Sequence, residues 1–305
     1  MNTYSTSESP SLSTQNAVLH RAPGFVSALR RARGALQWRL LLWWTILLLL
    51  PAIVAALPFW QMLAANLDHS LYAARLAERL DLVAIADLAT RGSERYGAAL
   101  GAGGLVALAL TLLLSPLLTG MTIAAVRAPQ RLGFIPLLST GALEYGRLLR
   151  MLVWAVIPLG IAGAIGGAAF NAAGKVADGA IVQADADHAS RLALLAAVVV
   201  VVVLHATVDA GRAILGNERR RRSAVLAWWG GLKLLLRRPV ALLGSYVVIT
   251  AVGLALAAAL ALARLHVPAL GAVGTVAAFL LAQLGVIVLG CMRAARLAAM
   301  MELAR

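Results

Sequence analysis

His205, Asp209 and Arg212 stand at spacings of four and three in LHATVDAGRAI, inside an otherwise apolar stretch. On a helix those spacings stack three side chains along one face. An imidazole, a carboxylate and a guanidinium in a column allow three kinds of chemistry. Asp209 and Arg212 can pair, which lowers the cost of burying either and locks the helix against its neighbours. The same column can relay a proton or an ion, because ionisable groups inside a bilayer are costly and often mark a pathway. His205 and Asp209 can also act as an acid–base dyad, although no activated nucleophile stands near them. The pairing is the reading these residues favour.

Other reaction centres are missing. The chain has no G-x-x-x-x-G-K-[ST] loop, no H-E-x-x-H pair and no paired-cysteine metal site. It has no G-x-S-x-G nucleophile elbow. Cys291 is the single cysteine, so no intrachain disulfide can form, and a small packing residue is expected there. Asp185, Asp187 and His188 in ADADHAS form a loose acidic cluster. It is read as a solvated loop rather than a cation site, because it offers no full ligand set. No cofactor, no metal and no nucleic-acid partner are expected.

The elements that must position the His205 column are membrane helices. Of the 305 residues, 61% are hydrophobic, well above the share that a soluble core can hide. Mean hydropathy is +0.85. The expected fold class is all-α: a polytopic membrane protein with six transmembrane helices arranged as three hairpins. The spans are expected near residues 38–60, 97–118, 151–173, 192–215, 239–263 and 268–292. Runs such as LAAVVVVVVL lack the alternating polarity of barrel strands. Residues 1–22 read as a disordered cytoplasmic tail, polar and without the apolar core of a secretory leader. Residues 23–305 read as one membrane domain.

Charge sets the orientation. With six spans both termini share a side, and 20 of the 27 Lys and Arg residues fall on that side. The positive-inside rule makes it the cytoplasmic side, which explains the formal net charge of +14 without nucleic acid. The densest cluster is Arg219, Arg220, Arg221 and Arg222, followed by Lys233, Arg237 and Arg238. These seven are the expected contacts for anionic lipid headgroups.

A threefold pattern runs along the chain. Three basic amphipathic segments, FVSALRRARGALQWRLL, FIPLLSTGALEYGRLLRM and SAVLAWWGGLKLLLRRP, each precede a span, an outer loop and a returning span. The returning spans end alike, in GMTIAAVRA, DAGRAILGNE and GCMRAARLAA. The pattern predicts three hairpins, each introduced by a helix at the inner interface. Two short surface helices are expected between Gln61 and Tyr96, with Asp68-His69-Ser70 as a cap. Gly97-x-x-x-Gly101 and Gly163-x-x-x-Gly167 would allow close helix approach. Asn171, Gln283, Ser115, Ser245, Tyr246 and Thr250 are candidates for bonds between helices. Pro51, Pro58, Pro116 and Pro158 are candidate kinks.

The stretch VDAGRAILGNERRRRSAVLAWWGGLKLLLRRPVALLGSY, together with LDHSLYAARLAERLDL, resembles bacterial six-span membrane proteins of no established activity. In these an Asp-x-x-Arg step ends the fourth span and a basic helix leads into the fifth. The segments are also similar in style to the membrane domains attached to some glycerophosphodiester phosphodiesterases, without the phosphodiesterase domain. The resemblance implies a bacterial inner-membrane location. Importer permeases fit poorly: Glu144-Tyr145-Gly146 is followed by Ile157-Pro158 at the wrong spacing for their coupling loop.

The expected function is therefore a non-enzymatic integral membrane protein, a scaffold or subunit of a membrane complex that contacts lipids and partner proteins. The alternative is a transporter or permease-like subunit working with a separate ATPase, with a polar passage lined by His205, Asp209, Asn171 and Gln283.

Overall fold

The computed structural model describes residues 24–34, 37–67, 82–220, 222–267 and 271–305. Among them every regular element is a helix. The order is α1 (Phe25–Gly34), α2 (Trp38–Leu67), α3 (Leu82–Arg127), α4 (Phe134–Gly179), α5 (Gln183–Asn217), α6 (Ala224–Arg237), α7 (Pro239–Leu265) and α8 (Gly271–Leu303). Six of them, α2 to α5 with α7 and α8, are long and apolar enough to cross a membrane. The protein is thus an all-helical, multi-pass membrane protein. The tail and Asp68-His69-Ser70 lie outside the described residues.

Three hairpins form between chain neighbours: α2 against α3, α4 against α5, and α7 against α8. The lead-in segments then join one hairpin to the next. The first half of α4 packs on α3, α6 packs on α5, and α1 packs on α8. Each lead-in segment thus lies on the returning span of the preceding hairpin, and the first lies on that of the last. The arrangement closes into a ring with approximate threefold character.

Small residues make those contacts close. On α6 the buried positions Ala224, Ala227, Gly231 and Leu235 recur every three or four residues and form one face. An added Cβ at Gly231 would stand 2.7 Å from the amide N of Gly211 and 2.7 Å from the carbonyl O of Thr207. The first half of α4 buries Leu137, Gly141, Glu144, Leu148 and Met151 at the same spacing. There Gly120 meets Gly141, whose carbonyl O would lie 2.6 Å from a Cβ added at Gly120. The opposite faces keep Val225, Leu226, Trp229 and Leu236 of α6, and Ile135 and Leu143 of α4, exposed. Hydrocarbon is the medium that suits such a face; water is not.

Burial is lopsided. The ends of the three returning spans are nearly sealed, in runs around Leu118–Val126, Ala206–Gly216 and Ala294–Leu303. The other halves of the same spans expose Leu105 and Leu108, Leu195 and Val199, and Val276 and Leu280. Lipid tails are as apolar as leucine, so those halves need no protein partner.

Several expectations change. The second amphipathic segment is no separate interfacial helix: it continues without a break into the third span as α4, a 46-residue helix. No Pro or Gly pair interrupts its i to i−4 ladder at that junction, whereas Pro239 starts α7 at its first turn and separates it from α6. Residues 82–96 likewise form the start of α3 rather than a free surface helix. The second outer loop shrinks to residues 180–182, because α4 runs to Gly179 and α5 starts at Gln183. Asp185 there sits in the first turn of α5, where a negative charge suits the helix dipole. Asp187 accepts a 3.0 Å hydrogen bond from Gln183. Helices α2, α3 and α4 pass through Pro51, Pro58, Pro116 and Pro158 as continuous elements.

Candidate functional site

The ends of α3, α5 and α8 converge, and their polar side chains meet there. Asp209 is 5% exposed and stands at the centre. Its Oδ1 accepts a 2.8 Å hydrogen bond from Arg212, one turn along α5. Its Oδ2 lies 2.6 Å from Nε of Arg296 on α8. One carboxylate therefore binds two guanidinium groups from two helices. Burying a charge costs several kcal/mol unless it is paired this way, so the pair fixes α8 on α5.

His205 joins the column through another neighbour. Its Nδ1 lies 3.0 Å from Oη of Tyr246 on α7, within hydrogen-bond distance. The Asp209 carboxylate is 3.7 Å away, too far for a hydrogen bond. Arg296 caps the arrangement, with its guanidinium 4.6 Å from the centre of the Tyr246 ring and an N–H directed at Thr250. The structure thus brings His205, Asp209 and Arg212 together as the spacing requires. Asp209 is held by two arginines rather than aimed at His205.

Arg293 supplies a third guanidinium. It sits over the Trp44 ring at 5.4 Å and donates a 3.3 Å hydrogen bond to Ser115 of α3. Arg212, Arg293 and Arg296 line one small cleft with Asp209, Thr119, Thr122, Trp44 and Leu297. The sixth span expected at residues 268–292 leaves Arg293 and Arg296 just beyond its end. They lie instead inside α8, which runs on to Leu303. The signal was present: GCMRAARLAA echoes DAGRAILGNE, and two arginines three apart share a helix face.

A second charged brace was also missed. Glu144 of α4 accepts from Arg127 of α3 at 2.7 Å and pairs with Arg147, one turn along its own helix. Arg147 in turn donates to the carbonyls of Leu215 and Glu218 at 2.9 and 2.7 Å. Those carbonyls belong to the frayed end of α5, where a helix leaves acceptors unpaired and favours positive charge. Three helices are clamped by one carboxylate. Glu144→Gln removes the charge that both arginines use and is expected to cost about 2–3 kcal/mol. A thermal unfolding midpoint in detergent equal to wild type would refute the clamp.

Among the other interhelical candidates, Ser115, Tyr246 and Thr250 do bond across helices. Ser245 donates instead to Ala241 of its own helix. Asn171 is exposed and stands apart from the His205 column, and Gln283 is half-buried. Added Cβ atoms at Gly97, Gly101, Gly163 and Gly167 would meet nothing within 4 Å, so the close approaches lie elsewhere. Among the described residues no three His, Cys, Asp or Glu side chains gather as a metal site would need. Arg219, Arg220, Arg222, Lys233 and Arg237 are exposed, and Arg238 is half-buried. Arg221 lies outside the described residues. In comparisons with family models, with curated proteins and with solved structures, nothing matches this chain.

Proposed function

We propose that the chain is a non-enzymatic component of a bacterial inner membrane, with both termini in the cytoplasm. In this reading it is a scaffold or subunit of a membrane complex, and it holds anionic lipids and partner proteins around its inner face. The observation that carries the reading is the use to which the buried charges are put. Asp209 and Glu144 each cross-brace helices through two arginines, which consumes the carboxylates that a reaction or relay would require. The resemblance to bacterial six-span proteins and the excess of basic residues on one side support the location and orientation.

The basic cluster then has a role in the surrounding lipid. Arg219, Arg220 and Arg222 project from the α5–α6 turn, and Lys233 and Arg237 follow on α6 beside exposed Trp229 and Leu236. Each basic side chain near an anionic surface contributes about 1 kcal/mol. Replacing Arg219 to Arg222 by Gln is expected to weaken flotation with anionic liposomes or disturb topology. Unchanged flotation together with unchanged topology reporters would remove that role.

A permease-like subunit with a separate ATPase is the rival reading, and the polar cleft between α3, α5 and α8 is what favours it. Copurification from native membranes separates the two. A recovered ATPase together with flux abolished by Asp209→Asn would establish the permease. Recovery of lipids and non-catalytic membrane partners alone supports the scaffold.

A further inference from the structure

The charges lining the cleft between α3, α5 and α8 do not balance. Three guanidinium groups, from Arg212, Arg293 and Arg296, face one carboxylate, Asp209. Both oxygens of that carboxylate are engaged, one with Arg212 and one with Arg296. Arg293 is left with a hydroxyl and an aromatic face, and no other acidic side chain lines the cleft. Buried positive charge without a counter-charge is costly, and guanidinium groups present several N–H donors each in a planar fork. The group that best repays such a site is an oxyanion, which two forks can grip bidentately.

Size and depth narrow the choice. The free space of the cleft, counted out to its mouth, is about 280 Å³. A small head group suits that space better than a large body. Arg212 is five residues from the end of α5, roughly 8 Å along the axis. Arg296 is seven residues from the end of α8, roughly 10 Å. Both sit within about two turns of the helix ends. Thr119 and Thr122 donate to the carbonyls of Ser115 and Leu118 in their own helix. Rotation of either hydroxyl would add a donor to a bound anion.

We propose that this cleft is a phosphate-binding site, in which Arg293 is the principal ligand and Arg212 and Arg296 assist while they brace Asp209. Two sources supply that chemistry: the headgroup of an inner-leaflet phospholipid with a phosphate monoester, and free inorganic phosphate. The proposal rests on the membrane-component reading for the lipid source. It is separate from the Arg219 to Arg222 cluster, which contacts the surface.

The test uses the full chain in nanodiscs. One arm titrates phosphatidic acid into phosphatidylcholine discs and counts retained lipid by native mass spectrometry. The other titrates inorganic phosphate into pure phosphatidylcholine discs, with chloride at equal ionic strength as reference, and follows thermal stabilisation. Saturable binding in the first arm alone assigns the lipid, and in the second alone assigns free phosphate. Either is expected to weaken about tenfold or more in Arg293→Gln, which leaves the Asp209 pairs in place. Thr119→Leu narrows the cleft without changing charge, so it decides the matter where Arg293→Gln fails to fold. No saturable binding in either arm overturns the proposal. So does binding that both variants retain and only the Arg219 to Arg222 replacement abolishes. Failure to recover membrane partners, by contrast, bears on the scaffold and leaves this result untouched.

Discussion

Asp209→Asn is expected to lose about 3–5 kcal/mol of stability, the loss typical when one partner of a buried ion pair is removed. Asn keeps the size and one acceptor oxygen, so the loss isolates the charge. Arg212 and Arg296 are then left in the sealed end of the bundle, beside Arg293, with no carboxylate to share. Side-chain hydrogen bonds between membrane helices average only about 0.6 kcal/mol. Thr250→Val and Ser115→Ala each remove one long acceptor, at 3.4 and 3.3 Å, from a guanidinium and should cost less than the carboxylate, about 1–2 kcal/mol. Thermal unfolding in detergent or nanodiscs reads all three. An Asp209→Asn protein as stable as Thr250→Val would mean that water reaches the cluster and the brace is weak. Asp209→Leu combined with Arg296→Met should recover part of the loss, since a well-packed apolar pair can replace a buried ionic one.

The second large effect concerns backbone contact. Gly231→Val must push α6 off α5, because the atoms an added Cβ would strike are the amide of Gly211 and the carbonyl of Thr207. Main-chain atoms inside a helix cannot rotate aside as a side chain can. Overpacking of this kind costs about 1–3 kcal/mol, with the branched side chain at the upper end. Gly163→Ala and Gly167→Ala are the matched controls, since open space surrounds both. They should be neutral or should gain up to about 1 kcal/mol from helix propensity. If the α6 and α4 substitutions behave alike in unfolding assays, the close approach at Gly231 is not a stabilising contact.

The glycine result shows where sequence reasoning succeeds and where it stops. Span number and hairpin order follow from hydropathy and length, because lipid leaves the backbone few alternatives. The His205, Asp209 and Arg212 column follows from helical spacing alone. Spacing within one helix cannot say which helix lies opposite. For that reason the paired Gly motifs were plausible but faced open space, while single glycines at Gly120, Gly141, Gly211 and Gly231 made the contacts. Arg293 and Arg296 were misplaced for a related reason. A hydropathy window ends a span at its first charges, yet α8 continues for more than two turns past Arg293. What keeps those arginines inside is a carboxylate on another helix, and the position of that helix is a tertiary fact. Glu144 was hidden in the same way, since its partner Arg127 lies on another helix, and the arginines it holds reach the Leu215 carbonyl on a third.

One seam of the ring is made by α1 resting on α8, and this imposes a schedule on biosynthesis. About 240 residues separate the end of α1 from the start of α8. At a ribosomal pace of roughly 5–20 residues per second, α1 waits on the order of 10–50 s for its partner to emerge. During that interval its buried-to-be face, centred on Ala28, has only lipid or a chaperone to lean on. Truncation before the last hairpin would therefore strand the first helix as well as delete the last two, and quality-control proteases should clear such a fragment faster than its missing length alone suggests.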